Sequence, residues 1–454
     1  MKSITNKICK LLDFVFYSSR SPVKPNSKAT TSAPSPGSVK QITQYLNDPS
    51  TPNFTHTEAP RTQMDNFKIS VQGYNGPSGK PVGSVEWLPE NCYANLVNLL
   101  TNLKKYLTGK NWSSIMTLSV LPRAGNTTNA YYDRSNLKFF YFDYRGKHVE
   151  TSSSADIINH ECGHGILDAL RPDFWNVASI EIPAFHEAFG DIMALHGALF
   201  YDEILNVADL NNTTFLSKIG DEFGLAIGSS LGLRDLNNNL SYVSPSKLPN
   251  QPTVGFPVST ECHDFSRVWS GIYFSILKGM HKQNGGTKEG LIASRDYLLE
   301  IFMESVKTCP VVTSFYSTLA KCMIAADATR GAKYKNLLNS IFVSKNLIKA
   351  DIKMLSVDSG ETKMEVSKNT KMVSLKDLKL ESVLAQSLDD VKILIPSDGV
   401  TFDGEIHEMS TNEDAINQAS IFVDSLIKNG EIGKSWIVNS DNVLERNHIS
   451  CKCK

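Results

Sequence analysis

The chain has 454 residues, of which 41% are hydrophobic, and its 46 basic and 47 acidic residues leave a formal net charge of −1. This balance excludes the strongly basic surface that nucleic acids or anionic membranes require. The length predicts two or three structural units. Eight irregularly spaced cysteines do not form a disulfide scaffold, and no apolar run is long enough to span a bilayer.

The first 65 residues are predicted to be a disordered arm. Residues 20–60 are rich in Ser, Pro, Thr and Lys, and such a composition cannot bury enough apolar surface to offset its ordering entropy. The lysines and apolar residues at the very start resemble a secretory signal, but Asp13 interrupts the apolar stretch and no small-residue cleavage site follows cleanly. We therefore expect a cytoplasmic location or export by a route other than Sec.

Residues 66–175 are predicted to form a lobe of mixed strands and helices. "FKISVQGY" (67–74) alternates as a strand does, and residues 92–109 have apolar side chains at helical spacing before a terminal glycine. "IMTLSVLP", "NAYYD" and "KFFYF" then predict short strands with turns between them.

The motif "NHECGH" (159–164) predicts one half of a metal site. His160 and His164 are four residues apart, so on a helix they share one face and can bind the same ion. Glu161, one residue after His160, turns about 100° away from that face. A catalytic zinc ion needs a third protein ligand and an open position for water, and the third ligand must come from elsewhere in the chain.

The segment "HEAFGD" (186–191) supplies the third ligand. Glu187 and Asp191 are four residues apart and share a helix face, so Glu187 can complete the site while Asp191 accepts the distal N–H of a ligand histidine. The surrounding residues are apolar, and a buried carboxylate in such a helix needs a partner. His186 is an alternative ligand, although its side chain points about 100° away from that of Glu187.

The rest of the chain divides into a helical part and an extension. Residues 176–347 contain four segments with helical periodicity and are predicted to form a helical lobe. Residues 348–454 contain a strand pattern, "DVKILIP", then a helix over 410–430 and a closing hairpin over 435–449. No role can be assigned to this extension from its residues.

From about residue 68 to 347 the chain resembles the thermolysin-like zinc metallopeptidases, the gluzincins. The two metal-site motifs both match motifs of that family. Four further segments match the family in the same order: "NAYYD", "LGLRDL", "ECHDFSRVWSGI" and the closing helices over residues 297–327. The resemblance implies an α+β, two-lobed zincin fold with an N-terminal mixed β/α lobe and a C-terminal helical lobe, here followed by an additional α/β extension.

The activity that this resemblance implies is zinc-dependent cleavage of a protein or peptide substrate by a monomeric endopeptidase. The implied Zn²⁺ ligands are His160, His164 and Glu187, with Asp191 behind them, and Glu161 is the general base toward the attacking water. His263 and Arg234 correspond to the residues that meet the charge on the carbonyl oxygen. The implied substrate-binding residues are Asn129 and Ala130 along the substrate main chain, and Leu233 and Ile157 in an apolar pocket.

The chain also departs from the family pattern. The family's catalytic tyrosine falls on Trp175, and the aspartate that orients the transition-state histidine falls on Val258, with Glu261 as the nearest substitute. The acidic calcium-binding cluster is interrupted at Ala198. These departures leave two alternatives open: a weakly active or inactive binding module with the zincin fold, and an aminopeptidase, for which the exopeptidase motif is lacking.

Overall fold

The computed structural model describes residues 40–51, 54–212, 214–349, 370–381, 388–396 and 412–450. These residues are mixed α and β, as the sequence predicts in coarse form, and they belong to one compact unit. The predicted boundary at residue 348 falls next to residues 350–369, which lie outside the described residues.

A five-stranded sheet combines four strands from residues 68–139 with one strand from residues 449–450. Its members are β3 (Lys68–Val71), β4 (Thr117–Leu121), β5 (Ala130–Tyr132), β6 (Asn136–Phe139) and β15 (Ile449–Ser450). Strands β3, β4 and β6 run parallel, whereas β5 is antiparallel to β6 and β15 is antiparallel to β5. The strands predicted from "FKISVQGY", "IMTLSVLP" and "NAYYD" are therefore confirmed.

Two helices, in which every residue is buried, follow the first four strands of this sheet in the chain. Helix α2 (Ala155–Leu170) begins where the Ser154 side chain accepts a hydrogen bond from the Ile157 amide, and helix α3 (Glu181–Leu199) follows after a short connection. Helix α1 (Leu88–Asn102) packs beside them, starting four residues earlier than the sequence predicts and ending before the predicted glycine. Helices that are apolar nearly all round are expected in the interior of a large domain.

The remaining helices before residue 350 follow in chain order. They are α4 (Asp202–Leu205), α5 (Asp221–Ile227), α6 (Cys262–Gln283), α7 (Lys288–Thr308), α8 (Phe315–Ala328) and α9 (Lys335–Ser344). Two antiparallel pairs complete this part: β7 (Tyr141–Tyr144) with β8 (Lys147–Glu150), before α2, and β9 (Lys218–Ile219) with β10 (Arg234–Asp235), on either side of α5. The four helices predicted from periodicity over residues 176–347 are thus confirmed.

The predicted arm over residues 1–65 is wrong for its last part. Strands β1 (Ile42–Tyr45) and β2 (Thr55–Glu58) form an antiparallel pair, and the indole N–H of Trp87 donates to the Thr43 carbonyl at 2.7 Å. Ile42 is 2% exposed. The polar composition of this segment did not predict β1. The strand is stabilised because α1 and Trp87 cover its inner face. Residues 1–39 lie outside the described residues.

The described part of the C-terminal extension packs on the elements formed by residues 40–349. It contains β11 (Thr370–Ser374), β12 (Lys392–Pro396), α10 (Asn412–Lys428) and the predicted hairpin of β13 (Trp436–Val438) and β14 (Leu444–Arg446), followed by β15. The Ala178 amide donates to the Leu394 carbonyl at 2.7 Å, so β12 joins the connection between α2 and α3. Among the described helices, none has the length and apolar character that a membrane crossing requires.

Candidate metal centre

The predicted ligands meet where α2 and α3 approach each other most closely. Glycines occupy the contact: a Cβ atom on Gly163 would lie 2.9 Å from the Cα atom of Gly190, and one on Gly190 would lie 2.6 Å from the ring of His160. Since any larger side chain would separate the helices, this approach depends on both glycines. It places the histidine face of α2 directly against the acidic face of α3.

Glu187 lies between the two histidines. Its Oε2 atom is 3.4 Å from Nε2 of His160, and its Oε1 atom is 3.8 Å from Nε2 of His164. Ligand atoms that share one tetrahedral zinc ion are about 3.4 Å apart. All three residues are buried, at 1% exposure or less. The structure therefore brings His160, His164 and Glu187 together at separations that suit a shared ion.

Several buried polar atoms at this point have no hydrogen-bond partner within the described ranges. They include both ring nitrogens of His164, both carboxylate oxygens of Glu161 and both ring nitrogens of the neighbouring His186. A buried polar group without a partner is costly, so such groups indicate a missing ligand. Two imidazoles and a carboxylate form a donor set that suits zinc. The residues present fit a zinc ion.

The ring of His160 is held from behind. Its Nδ1 atom is 3.1 Å from Oδ1 of Asp191, as the sequence predicts. Arg234, on β10, donates from Nε to both Asp191 oxygens at 2.8 and 3.0 Å, and its Nη2 atom is 3.3 Å from Nδ1 of His160. Burial opposes protonation of His160, but the bonds to Asp191 and Glu187 outweigh it and raise its pKa to about 8. Arg234 therefore supports the ligand network directly.

His263 faces the same point from the start of α6. Its Nε2 atom is 3.4 Å from Oε2 of Glu187, and its Nδ1 atom is 2.7 Å from Oε1 of Glu261. Glu261 thus takes the orienting position that Val258 does not fill. Burial favours a neutral ring, but the charges of Glu187 and its neighbours outweigh it and raise the pKa of His263 well above its ordinary value.

Glu161, on α2, lies beside the predicted ligands His160 and His164. Its carboxyl group is fully buried, and burial raises its pKa to about 8, although the neighbouring charge of His160 opposes the rise. The ligand atoms of His160, Glu161 and His164 all lie within 4.8 Å of one another. The residue predicted as the general base therefore lies beside the predicted ligands.

The predicted substrate-binding residues are only partly brought to the site. Leu233 lines the cleft beside Glu187, whereas Ile157, Asn129 and Ala130 are not among the described residues that line it. The Ala130 amide already donates to Oδ1 of Asn129 at 3.0 Å. Along the outer edge of β5, the next two residues pair with β15. The edge proposed for substrate is thus shared with the chain's own C-terminal segment.

The cleft in front of the metal centre has a volume of about 640 Å³, and one wall comes from the C-terminal extension. Helix α10 and the hairpin β13–β14 contribute Leu426, Trp436 and Arg446 to that wall. Sequence reasoning missed these residues because no local pattern connects them to the metal motif. It also missed Cys262, whose sulfur lies within 4.8 Å of ligand atoms of Glu187 and His263; its position next to His263 was the available signal.

The indole N–H of Trp175, at the position where the resemblance implies a tyrosine, is donated within the protein. Nε1 donates to the carbonyl oxygen of Arg446 at 3.0 Å.

No protein-family model matches this chain, and no curated protein is significantly similar to it.

Proposed function

We propose that this protein is a zinc-dependent endopeptidase of the thermolysin-like type. The observation that carries the proposal is the convergence of His160, His164 and Glu187, next to a buried Glu161 without a hydrogen-bond partner among the described residues. Of these residues, Glu187 lines the adjacent cleft. The two-lobed zincin architecture is part of the proposal. A strand-rich lobe and a helical lobe joined at α2 and α3 support it.

Each side chain has a distinct role. Zinc held by His160, His164 and Glu187 would supply a Lewis acid toward the attacking water and the scissile carbonyl. Glu161 accepts the proton of that water and passes it to the leaving nitrogen. His263, protonated beside Glu187 and Glu261, donates to the carbonyl oxygen as negative charge develops there. Arg234 acts as a positioning residue, because it holds Asp191 and thereby the ring of His160.

Glu161→Gln tests this proposal. Glutamine has nearly the same size and can still hydrogen-bond to water, but it cannot accept a proton, so cleavage of a denatured protein should fall about 100- to 10,000-fold. Zinc content per chain and the thermal melt should match those of the parent. Equal cleavage by parent and variant would assign the activity to another site.

A catalytically weak or inactive binding module is the second candidate. It is favoured by Trp175, whose only polar hydrogen is donated to the Arg446 carbonyl and so is not offered to a substrate. For this candidate, the parent would bind one zinc ion per chain and leave the denatured protein uncleaved.

A further inference from the structure

The side chain of Arg446, on β14, is largely buried in the wall of the cleft that α10 and the hairpin β13–β14 form. It is 7% exposed, and its guanidinium carbon lies 5.7 Å from the ring centre of Trp175 and 5.3 Å from that of Trp436. Stacking on indoles holds a guanidinium in place without neutralising its charge. Burial lowers the pKa of Arg446 to about 10, so the group is still a cation at neutral pH.

The described residues offer this cation no ion-pair partner. None of the ion pairs they form within 4.0 Å involves Arg446, and its Nε atom has no hydrogen-bond partner among them. By contrast, the nearby cleft residues Arg234 and Arg267 each contact an aspartate at 2.8 Å. A buried charge without a counter-ion is costly and is seldom retained without a ligand.

The main chain of Arg446 is tied to the catalytic region on both sides. Its amide donates to Oδ1 of Asn176 at 3.1 Å, and its carbonyl accepts from Trp175 at 3.0 Å. The side chain lines the same cleft as Glu187 and His263. The hairpin therefore positions a fixed, unpaired cation within the cleft that a substrate would enter.

We propose that Arg446 binds a carboxylate of the peptide substrate, so that the C-terminal extension determines which peptides the metal centre accepts. This inference rests on the proposed peptidase function. A guanidinium presents parallel N–H donors that match the two oxygens of a carboxylate, and its immobilisation between aromatic rings reduces the entropy lost on binding. The carboxylate comes either from the substrate's C-terminus or from an aspartate or glutamate side chain.

Binding measured without turnover tests the inference directly. The full chain carrying Glu161→Gln and loaded with zinc is titrated with three fluorescent peptides of the same apolar sequence: one with a free C-terminus, one amidated, and one amidated with a glutamate. We expect at least one carboxylate peptide to bind about tenfold or more tightly than the fully amidated one, a loss typical of an unmatched charge. Which peptide is preferred identifies the source of the carboxylate.

Arg446→Met should abolish this preference, because methionine retains the apolar stem and removes the charge. Arg267→Met is the matched control, since Arg267 lines the same cleft but already pairs with Asp264, and it should leave the preference intact. Should Arg446→Met not fold in a thermal melt, Arg446→Lys replaces it; lysine keeps the charge without the paired donors, and the preference should fall severalfold.

The outcomes separate this inference from the proposed function. Equal binding of the three peptides, or an equal loss for all three in Arg446→Met, overturns the role of Arg446 even if the parent cleaves protein. A carboxylate preference that depends on Arg446, found together with a zinc-loaded parent that cleaves none of these peptides or a denatured protein, supports Arg446 and overturns the peptidase proposal.

Discussion

His186 and Glu187 are neighbours in the sequence, yet the helix separates their side chains as expected from its 100° rotation per residue. The carboxylate of Glu187 lies within 3.4 Å of His160, whereas the ring centre of His186 is 6.1 Å from that of His164 and 6.3 Å from that of Trp175. Burial lowers the pKa of His186 well below its ordinary value. Its neutral ring packs among aromatic side chains rather than toward Glu187.

Glu187→Gln should weaken zinc binding by at least about tenfold, because an amide oxygen is a poorer ligand than a carboxylate. His186→Ala should leave the zinc content unchanged and cost stability only through the cavity it creates. Zinc bound per chain, measured after dialysis against a competing chelator, compares the two variants. Loss of zinc from the His186 variant alone would show that the ligand assignment is wrong.

At the scale of elements, the contact between α2 and α3 holds the candidate metal centre together. Neither helix is markedly amphipathic, because both are buried on all sides, and the glycines let their axes approach closely. This packing explains how ligands from two separate motifs meet. It also makes the site sensitive to a single methyl group.

Gly190→Ala should both destabilise the fold and disturb the metal site. The added Cβ atom would lie 2.6 Å from Nδ1 of His160, so either the ring or the helix must move. Overpacking of this kind costs about 1–3 kcal/mol of unfolding free energy, and a displaced ligand lowers zinc affinity about 10- to 100-fold. Denaturant unfolding and zinc titration measure the two effects.

Gly279→Ala is the control for that prediction. Its Cβ atom would lie 2.6 Å from Leu337, in the contact between α6 and α9, so it adds the same methyl group to another helix pair. We expect a comparable loss of stability with normal zinc affinity. Equal zinc affinities in the two variants would mean that the ring of His160 tolerates the displacement.

At the scale of the whole molecule, the described part of the C-terminal extension belongs to the same compact unit as the candidate metal centre. Ile393 and Ile395 of β12 are fully buried in the core cluster that also contains residues of α2 and α3. The hairpin contributes a wall of the cleft, and β15 extends the five-stranded sheet. Unfolding of the extension is therefore expected to be coupled to loss of the metal centre.

Ile395→Ala should destabilise the entire unit by about 2–5 kcal/mol, as is typical when a buried isoleucine is truncated. Zinc release and loss of helical circular dichroism should shift together to lower denaturant concentration. Met372→Ala on the paired strand β11 is the control; Met372 is 44% exposed, and its truncation should change stability by no more than about 0.5 kcal/mol. Zinc release that stays at the parent's midpoint in Ile395→Ala would show that the extension unfolds independently.

The sequence by itself determined the local features of this protein. Helical periodicity placed His160 with His164 and Glu187 with Asp191, because residues four apart share a helix face wherever the helix lies. The same reasoning predicted most strands of the sheet and the helices that follow. The order of the motifs led to the zincin hypothesis, with Glu261 as the partner of His263.

Only the tertiary structure decided which distant segments meet. Trp175 and Arg446 are separated by 271 residues, and their hydrogen bond has no signature in either segment. Strand β1 was hidden by its polar composition, and its burial depends on Trp87 and α1. Local spacing encodes the face of a helix, but contacts between remote segments arise from the packing of the whole core. For this reason the cluster of His160, His164 and Glu187 could be predicted from the sequence, and the wall that carries Arg446 could not.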